Sequence, residues 1–323
     1  MPRNKEKLNI NKSLLVLTGF SCNNNCIVCS LKDRQEFYSD RTTEEIMKDM
    51  DVGIEKGFGA VEFTGGEPTI RKDIIDLVAY AKKIGFKTIA ISTNGRMFSY
   101  APFAEKTIDA GLNKVNFSLL GSNEKVHNSI SRTPGSFKEI VSGIENVKKN
   151  PDVCINISSV ISSLNVKDLK KFALFVLSLG VRNWYLLDLI PDGNARKNYS
   201  VLAIKPEILK LELNSLQKVS SRFREIGFFD FPLCLFEEGF LKLPNVKFIN
   251  AKRRLETSLQ VGYNPNRTHA DQKGVFRDSY KEHLKICPKC KFYQECGGIW
   301  KDYLKMFGGE KIAEMADKNE CIL

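Results

Sequence analysis

An α/β fold on a parallel sheet is the fold class this sequence predicts, and two observations predict it. Apolar strand-like runs alternate with helical segments at a period of about thirty residues, the rhythm of βα units. Glycine-, cysteine- and asparagine-bearing motifs fall at the carboxyl ends of those runs, where parallel α/β folds gather their ligands. A length of 323 residues holds one large domain of this kind with a small appendage. An open doubly wound sheet satisfies the same strand count.

The elements follow in order. Residues 14–17 form the first strand and deliver a cysteine loop. Residues 42–56 read as a helix, with Thr42 and Glu45 as a capping box and Ile46, Met50 and Ile54 on one face; Gly57 stops it. The second strand is 60–64. Residues 74–83 make an amphipathic helix ended by Gly85, and 88–92 the third strand. Pro102 suits the first turn of a helix running to about Ala110. Strand four is 114–118, a helix follows at 137–149, and strand five is 154–160. A helix at 166–179, a sixth strand at 184–188 and a long helix at 206–226 close the series. The βα rhythm stops after residue 227. The expected division is therefore a domain of βα units over 1–227 and a smaller unit over 228–323.

The formal net charge is +11, but the lysines are spread over helices, and the densest cluster, Lys252-Arg253-Arg254, is short. A solvated basic surface accounts for this, and no aromatic–basic platform points to nucleic acid. No apolar run reaches the roughly 18 residues of a spanning helix, and the charged N-terminus precedes no signal-like segment. A cytoplasmic location without membrane partners is expected. There the nine cysteines stay reduced, and their clusters mean metal or catalysis.

Cys22, Cys26 and Cys29 have the spacing CxxxCxxC. Three thiolates in so short a loop can wrap one corner of an iron–sulfur cube and leave one iron open, since a [4Fe–4S] cluster takes four ligands. Structural zinc wants four closed ligands, and no fourth lies near. Val28 precedes the third cysteine. About one βα unit later comes Gly65-Gly66-Glu67-Pro68. Two glycines let a backbone approach a ligand closely, Glu67 can accept from an ammonium, and Pro68 stiffens the exit. Alone, the tetrad would be an ordinary turn.

Together these motifs resemble the radical S-adenosylmethionine (radical SAM) superfamily, over most of the chain. The resemblance implies a partial (β/α)6 TIM-like barrel. It implies a [4Fe–4S] cluster on Cys22, Cys26 and Cys29 whose open iron binds S-adenosylmethionine (SAM). Val28 makes a hydrophobic contact there, and the segment Gly65 to Pro68 holds the SAM amino group. Asn94 and Ser118 stand where the family places polar groups near SAM, although both residue types also cap turns. Arg132 resembles an arginine that pairs with the SAM carboxylate. Ser158 is placed to reach the ribose, and Pro191-Asp-Gly193-Asn194 resembles the adenine-side loop. His127 reads as structural or surface rather than a proton shuttle.

A second cluster, Cys287-Pro-Lys-Cys290 with Cys296, resembles the auxiliary-cluster extensions called SPASM and twitch domains. The full set of seven cysteines is absent, so one auxiliary [4Fe–4S] cluster is implied. Its fourth ligand is Cys234 or Cys321. If Cys321 ligates, Cys234 is free to donate a hydrogen atom. A four-cysteine zinc site is the alternative. Cys154 reads as a buried small hydrophobe. The mechanism implied is reductive cleavage of SAM to a 5′-deoxyadenosyl radical that takes a hydrogen atom from the substrate. Such a radical calls for a mostly small and apolar barrel lining. A donor such as flavodoxin or ferredoxin would supply the electron. The substrate is expected to be a ribosomal peptide, undergoing crosslinking, oxidation or epimerisation. A sugar, aminoglycoside or cofactor precursor is the rival, and a non-catalytic iron–sulfur scaffold or electron carrier is the reading from another class.

Overall fold

The structure is a computed structural model that describes residues 8–250, 258–261 and 280–318. Eight strands stand side by side in chain order: β1 (Asn9–Leu17), β2 (Phe58–Thr64), β3 (Thr88–Thr93), β4 (Lys114–Ser118), β5 (Cys154–Val160), β6 (Asn183–Leu187), β7 (Glu225–Phe229) and β8 (Val246–Ile249). Every neighbouring pair is parallel. A ninth strand, β9 (Ser258–Val261), pairs parallel with β1 on its other side. The sheet is curled into a partial TIM-like barrel, with β8 and β9 at its two ends.

Helices α1 (Thr43–Glu55), α2 (Ile74–Ile84), α3 (Ala101–Asp109), α4 (Glu124–Ser131), α5 (Ser136–Lys148) and α6 (Leu169–Ser178) cover the outer face. Alternate strand residues such as Val61, Phe63, Ile89, Ile91, Phe117 and Trp184 are fully buried against helix residues such as Met50, Val78, Ile144 and Phe172. Burying side chains of this size contributes roughly 1.5–3 kcal/mol each. The Thr42 capping box is present, and Gly85 ends α2 in the left-handed conformation at φ 111°.

Two sequence expectations give way here. The helix expected over 206–226 ends at Ser215, with one further turn at Gln217–Ser220. Glu225–Phe229 is instead a strand, because Ile226 and Phe228 alternate into the core with a period of two. The sheet thus runs across residue 227 to Ile249, and with β7, β8 and β9 it has three more strands than the six expected.

The inner face of the sheet also departs from the apolar lining expected. Asn116 is paired in register with Ser92 and Asn156, and the side chains bond across the strands. Asn116 Nδ2 donates to Ser92 Oγ at 3.4 Å, Asn156 Nδ2 to Asn116 Oδ1 at 2.8 Å, and Asn183 Nδ2 to Asn156 Oδ1 at 2.9 Å. Ser92 in turn donates to Glu62. Amides on adjacent strands lie close enough to satisfy one another, which makes a polar interior tolerable. Cys154 belongs to this layer rather than to the apolar core: it is half-buried, and its Sγ lies 3.7 Å from both Asn183 Nδ2 and Arg224 Nη2.

Candidate active site

The three N-terminal cysteines sit on the loop that leaves β1, all half-buried. Burial pushes the thiols of Cys22 and Cys26 up to about 11 and 12, and the charge of neighbouring cysteines in the loop adds to it. Thiols so placed ionise when a cation binds them, which is the chemistry of an iron–sulfur seat. Among the described residues, no three His, Cys, Asp or Glu side chains close on a point as the ligands of a single ion do. Ligands of a cube bind different irons and stand apart.

The loop is held from several sides. Asn25 N donates to Ser131 O and Ile27 N to Ile130 O, at the end of α4. Asn194 Nδ2 donates 3.0 Å to Cys26 O. Arg96 Nη1 donates 2.7 Å to Asn23 O, while its Nε pairs with Glu139 at 2.5 Å. Asn94 Nδ2 donates 2.7 Å to Asn23 Oδ1.

The Gly65–Pro68 segment leaves β2 beside the start of this loop. Gly66 N donates to Gly19 O and Glu67 N to Ser21 O, each at 2.8 Å. Gly65 has φ 122°, and a β-carbon on either glycine would collide with the backbone of residues 19–21. The close approach that demands glycine is therefore made to the cysteine loop itself. Glu67 is buried, and its carboxylate accepts from Thr69 N, Thr69 Oγ1, Thr93 Oγ1 and Asn94 N at 2.5–3.0 Å. Burial raises its pKa, against those hydrogen bonds.

A model of the radical SAM superfamily matches residues 16–176, the span that holds these motifs. The chain belongs to the radical SAM superfamily. Among curated proteins, the probable GTP 3′,8-cyclase of Sulfurisphaera tokodaii is 28% identical over 216 residues, 66% of this chain and 68% of that protein. That of Sulfolobus acidocaldarius is 27% identical over 188 residues, 58% of this chain and 59% of its own length. Among solved structures, native anSMEcpe with bound AdoMet superposes with a TM-score of 0.63 at 16% identity, over 94% of this chain and 96% of that one. SuiB of Streptococcus suis bound to S-adenosylmethionine gives 0.61 at 14% identity, over 94% and 76%. These share the fold.

The other residues predicted for the radical SAM site are spread along the carboxyl rim. Val28 is buried with Leu120, Ile130 and Leu189. Ser118, the last residue of β4, pairs in register with Ser158, two residues before the end of β5. Arg132 follows α4 with φ 52°, is exposed, and reaches Asn198 Oδ1 at 3.4 Å. His127 is 1% exposed, accepts from Leu120 N through Nδ1, and is pushed down to about 4 by burial, which makes it structural. Thr69, Thr93, Arg96 and Asn23 escaped the sequence reading. Thr93 and Arg96 flank Asn94, which was the available signal.

In the C-terminal part, Cys234 is buried and its thiol is pushed up to about 12, first by burial and then by the charges of Cys296, Cys287 and Cys290. Cys234 thus lies within electrostatic reach of three cysteines that cluster in the sequence far from it. Cys321 and Lys252-Arg253-Arg254 lie outside the described residues. The short antiparallel pair β10 (Lys281–Glu282) and β11 (Ile299–Trp300) flanks this cluster. Among the described residues, no helix is long and apolar enough to cross a membrane.

Proposed function

We propose that this radical SAM enzyme carries an auxiliary [4Fe–4S] cluster on Cys234, Cys287, Cys290 and Cys296, in a twitch-like unit, and that it oxidises a peptide. The reading is supported by the nearness of Cys234 to Cys287, Cys290 and Cys296, whose charges act on its thiol, together with the CxxC spacing of Cys287 and Cys290. Four thiols of one chain suit a fully ligated cube, which accepts or relays an electron. With Cys234 so used, its role as hydrogen-atom donor is given up.

At the first site Cys22, Cys26 and Cys29 would hold the cluster that supplies reductive SAM cleavage. Gly65, Gly66 and Pro68 would present the backbone to the SAM amino group, while Glu67 holds that turn rigid. Asn94, Ser118, Ser158 and Arg132 would contact the rest of SAM. The peptide reading draws on the solved relatives that match nearly the whole chain, among them SuiB bound to precursor peptide SuiA (94% of this chain) and anSMEcpe with Cp18Cys peptide (95%). A nucleotide substrate is the second reading, favoured by the name of the cyclase relatives.

The test is anaerobic reconstitution of the wild type and of Cys234→Ala, with iron counts and 5′-deoxyadenosine formation from SAM. About eight irons are expected, falling to about four in Cys234→Ala with SAM cleavage retained. An unchanged iron count in Cys234→Ala would sink the ligand assignment. Deoxyadenosine stimulated by GTP and by no peptide encoded beside the gene would replace the peptide reading with the nucleotide one.

A further inference from the structure

We propose that Asp188 accepts a proton from the substrate, in a site where the ends of β6 and β7 meet the small sheet of β10 and β11. The inference rests on the oxidative reading above and names its substrate class: a carbon that bears a hydroxyl, amine or thiol.

Asp188 follows β6 at the carboxyl rim and is partly open to solvent. Its Oδ2 accepts from Trp300 Nε1 at 2.8 Å, and its Oδ1 from Leu189 N at 2.9 Å. Each oxygen retains a further acceptor site. Lys281 stands opposite Trp300 in register, with its ammonium 4.2 Å from the indole centroid. That ammonium donates 2.7 Å to Asp230 O and lies 3.5 Å from Asp230 Oδ1, so it is committed to the rim of β7. Asp188 thus feels Lys281 and Asp230 without sharing a salt bridge with either. Tyr199 and Tyr303, both kept protonated by burial, are further titratable groups beside it. Burial holds the Asp188 carboxyl up to about 7, against Lys281 and the Trp300 hydrogen bond. A base poised near neutrality takes and returns protons readily.

The substrate C–H bond breaks and its hydrogen atom passes to the deoxyadenosyl radical. The X–H bond breaks, where X is oxygen, nitrogen or sulfur, and its proton passes to Asp188. One electron leaves to an acceptor of the iron–sulfur class, and a C=X double bond forms.

The chain has two tryptophans, and Trp184 lies in the core. Trp184→Phe therefore leaves Trp300 as the sole reporter beside Asp188. Emission of the iron-loaded Trp184→Phe protein, titrated from about pH 5 to about pH 9, should show a transition near neutrality. The transition should vanish with Asp188→Asn, which keeps an acceptor for Trp300, and should move rather than vanish with Asp188→Glu. A flat titration, or one that survives Asp188→Asn, would overturn the proposal. With whichever of GTP or peptide stimulates SAM cleavage, Asp188→Asn should still form deoxyadenosine while oxidised product falls on the order of 100-fold. Equal product yields would overturn it as well. Absence of SAM cleavage by the wild type would instead overturn the reading on which it rests, whatever Trp300 reports.

Discussion

Thr93 donates a 2.8 Å hydrogen bond to Glu67, tying the end of β3 to the turn after β2. Glu67 Oε1 also faces Thr69 N, and Oε2 faces Asn94 N, both obligatory donors. Glu67→Gln must turn an amide NH2 toward one of these N–H groups. A loss of about 1–3 kcal/mol in stability is expected from the unsatisfied pair, read as a lower midpoint in denaturant. A midpoint equal to wild type would mean that Glu67 serves SAM rather than the turn.

Gly66→Ala puts a methyl group into the backbone of Phe20 and Ser21. The expected result is displacement of the cysteine loop, with stability lowered by about 1–3 kcal/mol and the N-terminal cluster lost first. Iron analysis and the visible absorbance of the reconstituted protein check this.

Arg96→Lys keeps the charge but not the fork that holds Glu139 and Asn23 together. Residues that orient metal ligands commonly change metal affinity by about 10–100-fold. Iron should leave the variant at least about tenfold faster under chelator, while the second cluster is retained.

His127 is held well below its ordinary pKa by burial. Its folded value is about 4 against an unfolded value near 6.5. The unfolded chain therefore binds the extra proton between these values, and stability falls as pH drops from about 6.5 through about 4. The contribution is on the order of 3 kcal/mol. His127→Gln should remove that slope, with Gln still able to accept from Leu120 N; chemical denaturation at several pH values measures it.

Much of the fold was legible because local and global preferences agree. The capping box at Thr42, the left-handed stop at Gly85 and the apolar runs of β2 to β5 each pointed one way. Residues 206–226 misled because Leu, Glu, Lys and Gln favour helix, while the Glu225–Phe229 strand owes its state to pairing with β6. The loop cysteines were legible because their spacing is contiguous. Asp188, Lys281 and Trp300 were not, since residues 112 apart in sequence meet only through the fold. The polar rungs on Asn116 and Asn156 were hidden for the same reason: a single strand does not reveal its neighbour's register.

The cysteine loop is fixed in part by Asn194, whose amide reaches the carbonyl of Cys26 across 168 positions of chain. A nascent polypeptide exposes its three thiols early, yet this anchor emerges only after six strands have been synthesised. Seating of the cluster in its final geometry therefore belongs after that point of translation. A fragment ending before Asn194 would keep every cysteine of the first motif and still hold its iron in a loop that nothing clamps from that side.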